Sequence, residues 1–172
     1  MRIKLNAIAL SIVAMIIVQL PAMAKVKVQN SVVVDAKMES VWDALLKYQK
    51  EEKQFNKKMV SNQRDKVTIK EEFVRVPVVG AAHIDYEEIN HKDLGRIDYK
   101  LTKSKFLTTF EGAWTVKKND SGKGVVVTLT THIDSWVPAP FKSRILRNAT
   151  KKGMEKRLAF VKTQAEKLSQ TN

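Results

Sequence analysis

The residues best suited to chemistry in this sequence are three acidic side chains set among apolar and β-branched residues. Glu71 and Glu72 lie in one such stretch, and Asp85 stands beside Tyr86 in the next. A buried carboxyl group has a raised pKa and can act as a general acid or base. About half of the positions in a half-buried strand face water, so the competing interpretation is that these acids are solvated. The sequence therefore offers candidates, but no assigned catalytic residue.

Other catalytic and metal-binding patterns are missing from the sequence. His83, His91 and His132 are scattered, without the short spacing that places two histidines around one metal ion. The chain contains no cysteine for a thiolate nucleophile or a disulfide, no glycine-rich nucleotide loop and no serine nucleophile elbow. We therefore predict no metal site and no cofactor, and we favour binding over catalysis.

The first 24 residues are typical of a cleavable signal peptide. Two basic residues precede an apolar run over 8–20, and small residues end the segment at Ala24. A helix of about thirteen residues spans roughly 20 Å, whereas the hydrocarbon core of a membrane is about 30 Å thick, which disfavours a retained anchor. We expect cleavage before Lys25, export to the periplasm or secretion, and a single domain over residues 25–172.

Hydrophobic periodicity changes along this domain and predicts an α+β fold. A valine-rich strand over Val26–Val34 precedes an amphipathic helix around 38–46, and a second short helix is predicted over 50–55. Over 57–135, two-residue alternation is interrupted by turn residues, which predicts consecutive antiparallel hairpins with one apolar face. A helix of nearly thirty residues, starting near Pro140, should lie across that face.

Two glycines interrupt the predicted elements. Gly112 lies within a strand, where a missing side chain permits close backbone approach or a bend. Gly153 lies within the last helix, where glycine costs about 1 kcal/mol relative to alanine, so it either makes room for the sheet or a ligand, or marks a kink. For both positions we favour the interpretation that the glycine is needed for packing.

Positive charge dominates the sequence, with 31 basic against 18 acidic residues and a net charge of +13. Nine basic residues fall between Lys142 and Lys167, against two acidic ones. Such a surface favours binding to anionic lipid headgroups. The competing interpretation is that these residues only keep the helix solvated. Because we expect the protein to be exported, nucleic acid is not an expected partner. Trp136 and Phe141 flank a Pro-Ala-Pro segment beside these cations, as a membrane-interface contact requires. The candidate membrane or anion contacts are Trp136, Phe141, Arg144, Arg147, Lys151 and Lys152.

The order of elements and three local stretches resemble a known superfamily. The stretches are DAKMESVWDAL over 35–45, FEGAW over 110–114 and WVPAP over 136–140. Together they resemble the START-like (SRPBCC) superfamily, which includes polyketide cyclases/dehydrases, the birch-pollen allergen group and coenzyme Q-binding proteins. The resemblance implies a helix-grip fold, in which a curved antiparallel sheet wraps around a long C-terminal helix.

The resemblance also implies a cavity between the sheet and that helix, which would bind a hydrophobic small molecule or lipid. The competing interpretation is a solid core, since an apolar sheet face packed on an apolar helix needs no cavity. The residues expected to line the cavity are Phe73, Ile84, Tyr86, Tyr99, Phe110, Trp114, Leu129, Ile145, Met154 and Leu158.

Three functions remain open from the sequence. We favour an exported carrier of a lipid-like molecule, which an all-apolar cavity would support. A cyclase- or dehydratase-type enzyme with one buried carboxylate is the first alternative, and an inward acid in an open cavity would support it. The second alternative is an accessory protein that binds an anionic envelope component through its basic surface and whose core is filled.

Overall fold

A computed structural model describes residues 25–76, 80–138 and 141–171. The predicted signal segment and the Ala139 and Pro140 positions lie outside the described residues. The described elements, in chain order, are β1 (Val26–Val34), α1 (Met38–Lys50), β2 (Lys57–Gln63), β3 (Lys66–Val76), β4 (Gly80–His91), a short 3-10 turn (Lys92–Leu94), β5 (Arg96–Ser104), β6 (Leu107–Lys118), β7 (Val125–Ser135) and α2 (Lys142–Thr171).

The seven strands form one antiparallel sheet in the order β1-β7-β6-β5-β4-β3-β2. From β2 to β7 each strand pairs with its neighbour in sequence, which confirms the predicted run of hairpins. Arg64 and Asp65 form the two-residue turn between β2 and β3, and Arg64 adopts a left-handed backbone with φ 53°. β1 then pairs with β7, so the first and last strands of the chain are neighbours.

The predicted second short helix is wrong. After α1 ends at Lys50, the chain forms a turn over 53–56 rather than a helix. Asn56 has a left-handed backbone with φ 48°, which stops helical hydrogen bonding and turns the chain into β2. Phe55 packs edge-on against Tyr48 of α1 and Phe160 of α2, at centroid distances of 5.0 and 5.5 Å. This aromatic contact holds the turn against both helices.

The core lies between α2, α1 and one face of the sheet. Met154 and Val161 of α2 are fully buried, and so are Ile69 of β3 and Ile133 of β7. α1 contributes Val41, Trp42 and Leu45, which the helical periodicity had placed on one face. A curved antiparallel sheet gripping a long C-terminal helix confirms the predicted helix-grip fold. Within the described part of the chain, no helix has the length and apolar character to cross a membrane.

The two glycines serve different purposes. A Cβ placed on Gly112 would lie 1.9 Å from the Thr130 carbonyl oxygen and 2.6 Å from the Tyr99 hydroxyl, so close packing does exclude a side chain there. A Cβ placed on Gly153 would meet nothing within 4 Å. Gly153 therefore does not make room for the sheet, and the prediction that it makes room for a ligand remains open.

Candidate functional site

Four charged side chains lie inside the apolar interior of the grip. Glu71 of β3 is 4% exposed, Glu88 of β4 is 2% exposed and Lys57 of β2 is 4% exposed. Arg157 of α2 joins them, with its side chain 11% exposed. Charges in such surroundings are costly unless they are paired or hydrogen-bonded, so their partners indicate what the site can do.

Glu71 and Arg157 form an ion pair that links the sheet to the last helix. An Arg157 Nη2 hydrogen donates to Glu71 Oε1, and the Tyr86 hydroxyl donates to Glu71 Oε2 at 2.9 Å. Both carboxylate oxygens are therefore occupied by strong donors. The Arg157 guanidinium also lies 5.8 Å from the Phe73 ring centroid. This pair fixes the position of Arg157 against the aromatic side chains of the sheet.

Glu88 is the second buried carboxyl group. Gln49 of α1 donates its Nε2 hydrogens to Glu88 Oε2 at 2.8 Å and to the Asn90 side chain at 2.9 Å. Burial raises the pKa of Glu88, and the nearby charge of Lys57 opposes that rise only in part. Because desolvation favours the uncharged form, this carboxyl group gains a proton more readily than an ordinary glutamate.

Lys57 is the least satisfied member of the cluster. Its Nζ lies 3.4 Å from the Tyr48 ring centroid, a cation–π contact, and has no hydrogen-bond partner among the described residues. Burial lowers the pKa of Lys57 from its ordinary 10.5 to about 8, although Glu88 and Glu71 both act to raise it. Below pH 8 the amine therefore carries a buried charge with no acceptor bound to it.

The interior space that these side chains surround is small. Its volume is about 10 Å³, enough for about one water molecule rather than a lipid. Eight of the ten predicted cavity residues are buried, and five of these line this small space, which favours the interpretation of a filled core over a ligand-sized interior cavity in the described part of the chain. The residues that line the remaining space are Tyr48, Tyr86, Glu88, Tyr99, Phe110, Trp114, Leu129 and Arg157.

A larger cleft opens at the mouth of the grip, between α2, β3 and the turn after α1. Its volume is about 320 Å³, and its walls combine the aromatic rings of Phe55 and Phe73 with the ion pair of Glu71 and Arg157. Gly153 lies on its helical wall, where the missing side chain keeps the space open. Arg157 lines both this cleft and the small interior space, so it stands between the two.

The remaining predicted cavity residues divide between the core and the surface. Ile84, Met154 and Leu158 are buried in the core beside the five that line the interior space. Phe73 is half-buried and lines the cleft. Ile145 is 53% exposed, so its predicted place on a cavity wall is wrong. It lies one turn into α2, ahead of the segment that covers the sheet.

Of the three candidate acids, the inward one is Glu71. Glu72 and Asp85 are half-buried and alternate with the inward positions of their strands, so they belong to the opposite face of the sheet. For Glu72 and Asp85 this position agrees with the competing interpretation that the acids face water rather than the interior. In the described ranges, no three His, Asp or Glu side chains are grouped closely enough to hold a metal ion.

The basic residues of the last helix do not all form one surface. Arg144, Arg147, Lys151 and Lys152 are exposed, together with Trp136 and Phe141. Arg157 points into the interior, and Lys142 is buried with its Nζ 2.9 Å from Asp134 Oδ1. The exposed basic surface therefore contains fewer residues than the number of basic residues in the helix indicates.

Three members of the interior cluster were missed from the sequence: Lys57, Glu88 and Arg157. Glu88 follows Ile84 and Tyr86 at two-residue spacing on the inward face, which was a usable signal. Arg157 has the same kind of signal, because it follows Met154 by three residues and precedes Val161 by four. Lys57 is the first residue of its strand after a turn, so no periodicity marked it.

A wider groove of about 540 Å³ lies on the outer face of the sheet, over Gly112. Its walls are half-buried or exposed charged side chains such as Arg96, Asp98 and Lys100. Arg96 and Asp98 already pair with each other at 2.6 Å. The groove is about as open to water as the cleft and its surface is the more apolar of the two, but it lies outside the grip, on the face of the sheet away from α2.

The fold and the cleft together define a helix-grip protein of the START-like class, as the three local stretches predicted. Residues 25–166 match the sequence model of the family described as polyketide cyclase / dehydrase and lipid transport. The chain belongs to this family. Comparison with curated protein sequences gives no significant match.

Solved structures with the same fold come from several bacteria. The Zhui aromatase/cyclase from a Streptomyces species has a TM-score of 0.64 at 13% identity, over 81% of this chain and 93% of that one. The protein TTHA0849 from Thermus thermophilus has a TM-score of 0.69 at 18% identity, over 83% and 99% of the two chains. A START superfamily protein from Mycobacterium smegmatis has a TM-score of 0.59 at 11% identity, over 84% and 97%. At these identities the similarity concerns the fold.

Proposed function

We propose that this protein is exported and binds a hydrophobic, lipid-like small molecule in the cleft between α2 and β3. The observation that supports this most directly is the composition of the cleft, which places the Phe55 and Phe73 rings beside the Glu71–Arg157 ion pair. Small-molecule sites typically combine apolar contact area with a few fixed polar groups, in volumes from about 300 Å³ upward. In this cleft the two rings supply the apolar contact area, and most of the other lining residues are polar or charged. The family description, which includes lipid transport, agrees with this proposal.

Catalysis is the less favoured alternative. A general base must be within reach of its substrate, whereas Glu71 is 4% exposed and each of its oxygens accepts a hydrogen bond, from Arg157 or from Tyr86. Glu88 lies beside an interior space of about 10 Å³, which does not admit a substrate. The positions of Glu71 and Glu88 therefore fit a binding protein better than a cyclase or dehydratase.

Export and membrane contact are parts of the same proposal. The signal-like segment supports export, and an exposed group beside the start of α2 supports contact with anionic lipid. Trp136, Phe141 and Ile145 are 61%, 78% and 53% exposed. Phe141 also has a left-handed backbone with φ 59°, an unfavourable conformation for a bulky residue. Arg144 and Arg147 lie beside these side chains in the sequence, as a membrane-docking surface requires.

Binding in the cleft is tested by filling it. Gly153→Leu places a side chain in the open space of the cleft without a clash at Cβ, so it should weaken uptake of the neutral apolar fluorophore N-phenyl-1-naphthylamine by about tenfold. Ala159→Leu, on an exposed position of the same helix outside the cleft, is the matched control and should bind as the wild type does. Fluorescence titration measures both.

Equal uptake by the two variants would contradict the cleft as the binding site. Native mass spectrometry of the protein purified from its own cell envelope provides a second test. A bound apolar molecule that is retained by the Ala159→Leu variant and lost from Gly153→Leu would support the proposal. A wild-type protein that carries nothing and does not take up the fluorophore would overturn it.

A further inference from the structure

The buried charge cluster contains more hydrogen-bond donors than acceptors. Both oxygens of Glu71 are in use, and Glu88 accepts from Gln49. On the donor side, Lys57 Nζ and Arg157 Nε are buried and have no hydrogen-bond partner among the described residues. Buried polar atoms are nearly always satisfied in native proteins, so two unsatisfied cationic donors in one cluster require an explanation.

One of these donors belongs to a residue that lines the cleft, and the other belongs to a residue that adjoins the lining. Arg157 lines the cleft directly from α2. Lys57 comes from the sheet side, where its Cα is paired with that of Glu71, another cleft residue. The residues just before Lys57, including Phe55, form the cleft wall, and the Phe55 ring centroid lies 5.8 Å from Lys57 Nζ. A ligand in the cleft would therefore contact Arg157 and Phe55, and Lys57, which does not itself line the cleft, follows Phe55 by two residues.

The charge of the cluster favours an anion. With Glu71 held by Arg157, the remaining pair is Lys57 and Glu88. Burial shifts Glu88 toward its neutral form, whereas Lys57, with a pKa of about 8, remains charged at neutral pH. Whenever Glu88 is protonated, the cluster has one positive charge in excess, and one carboxylate would neutralise it while supplying the missing acceptor oxygens.

We propose that Lys57 Nζ and Arg157 Nε form an oxyanion site that binds the carboxylate head of the ligand whose apolar part occupies the cleft. This inference rests on the proposed function and specifies its ligand class as a monocarboxylic acid with a hydrophobic body. The site selects the acid over the corresponding alcohol, because an alcohol brings no charge and only one acceptor oxygen.

The test compares octanoate with 1-octanol by isothermal titration calorimetry. The wild-type protein should bind octanoate about tenfold more tightly than 1-octanol at pH 7. Lys57→Met should abolish that preference while leaving the affinity for 1-octanol unchanged. Lys58→Met is the matched control, because it removes the same charge from an exposed neighbouring position and should keep the preference.

Folding is checked by thermal denaturation of each variant. Lys57→Met should melt at or above the wild-type temperature, since it removes a buried charge without a hydrogen-bond partner. Lys57→Gln, which keeps a polar side chain but no charge, is a second variant and should also lose the preference for octanoate. If the wild type binds both compounds equally, or if Lys57→Met keeps the preference, the oxyanion site is overturned and the cleft proposal stands. If the wild type binds neither compound, both proposals are overturned.

Discussion

At the scale of single residues, the interior of this protein departs from the apolar cavity that its fold implies. Glu71 accepts hydrogen bonds from Arg157 and Tyr86 at its two oxygens, which links β3, β4 and α2. Lys57 is different, because its charge is buried over the Tyr48 ring without an acceptor among the residues that the structure describes. Natural proteins tolerate such a cost mainly where function requires it. Lys57 is therefore the residue whose properties test the site most directly.

The lowered pKa of Lys57 predicts a specific pH dependence of stability. Between pH 8 and 10.5 the Lys57 amine is protonated in the unfolded chain but has lost its proton in the folded protein. The contribution of Lys57 to the free energy of unfolding therefore rises with pH across this range, by on the order of 3 kcal/mol in total. The stability gained by Lys57→Met should therefore shrink as the pH rises from 7.5 to 10. The charged and titratable groups that face Lys57 are Glu51, Glu71, Glu88, Arg157 and Tyr48.

Urea unfolding at pH 7.5 and at pH 10 measures the difference in stability between the wild type and Lys57→Met. The Lys58→Met variant controls for the general titration of lysines at alkaline pH, because Lys58 is exposed on the same strand. A wild type and a Lys57→Met variant with parallel stability–pH curves would show that the folded protein does not depress the pKa of Lys57.

At the scale of elements, two glycines shape the sheet and the helix in opposite ways. Gly112 lets β6 approach β7 and the Tyr99 hydroxyl, which donates to the Thr130 carbonyl at 2.8 Å. Gly153 keeps the α2 wall of the cleft free of side-chain atoms at a cost to helix stability. The first glycine is required by the fold, and the second is a candidate for a functional requirement.

Alanine substitutions should separate these two roles. Gly112→Ala should destabilise the protein by about 3 kcal/mol or more, because its Cβ would overlap the Thr130 carbonyl oxygen. Gly153→Ala should instead stabilise it by about 0.5–1 kcal/mol, because alanine is the better helix former and meets no neighbour. Thermal or urea denaturation measures both. A destabilised Gly153→Ala variant would show that α2 needs a glycine there for its own geometry.

At the scale of the whole molecule, apolar and basic groups meet at one end of the grip. Trp136, Phe141 and Ile145 are exposed around the start of α2, and the exposed cations of that helix begin at Arg144. In contrast, cations on the sheet are often matched by acids, as Lys66 is by Glu87 at 2.8 Å. The proposed membrane contact therefore concerns one end of the molecule rather than its net charge.

Tryptophan fluorescence tests this contact, since Trp42 and Trp114 are buried and Trp136 is the exposed member of the three. Phosphatidylglycerol vesicles should shift the emission to the blue, and phosphatidylcholine vesicles should not. Arg144→Glu/Arg147→Glu should weaken vesicle binding by about tenfold or more, because each cation near an anionic surface contributes about 1 kcal/mol.

The matched control changes the same total charge elsewhere. Lys70→Glu/Lys103→Glu alters two exposed lysines of β3 and β5 and should leave vesicle binding near the wild-type value. An equal loss in both double variants would mean that net charge, rather than the surface around α2, drives the association.

The sequence by itself determined the order of elements, the hairpins and the apolar face of the last helix, because these depend on local periodicity and turn residues. It also placed Glu71, Tyr86 and Phe110 on strands that proved to face the core. Only the tertiary structure decided that β1 pairs with β7, that Phe55 holds a turn instead of a helix, and that Glu88 lies near Lys57. Such contacts join residues far apart in the chain, and no local pattern specifies which long-range partners meet. The volume left between packed side chains depends on all of them at once, so the closed interior and the open cleft could be found only in the folded protein.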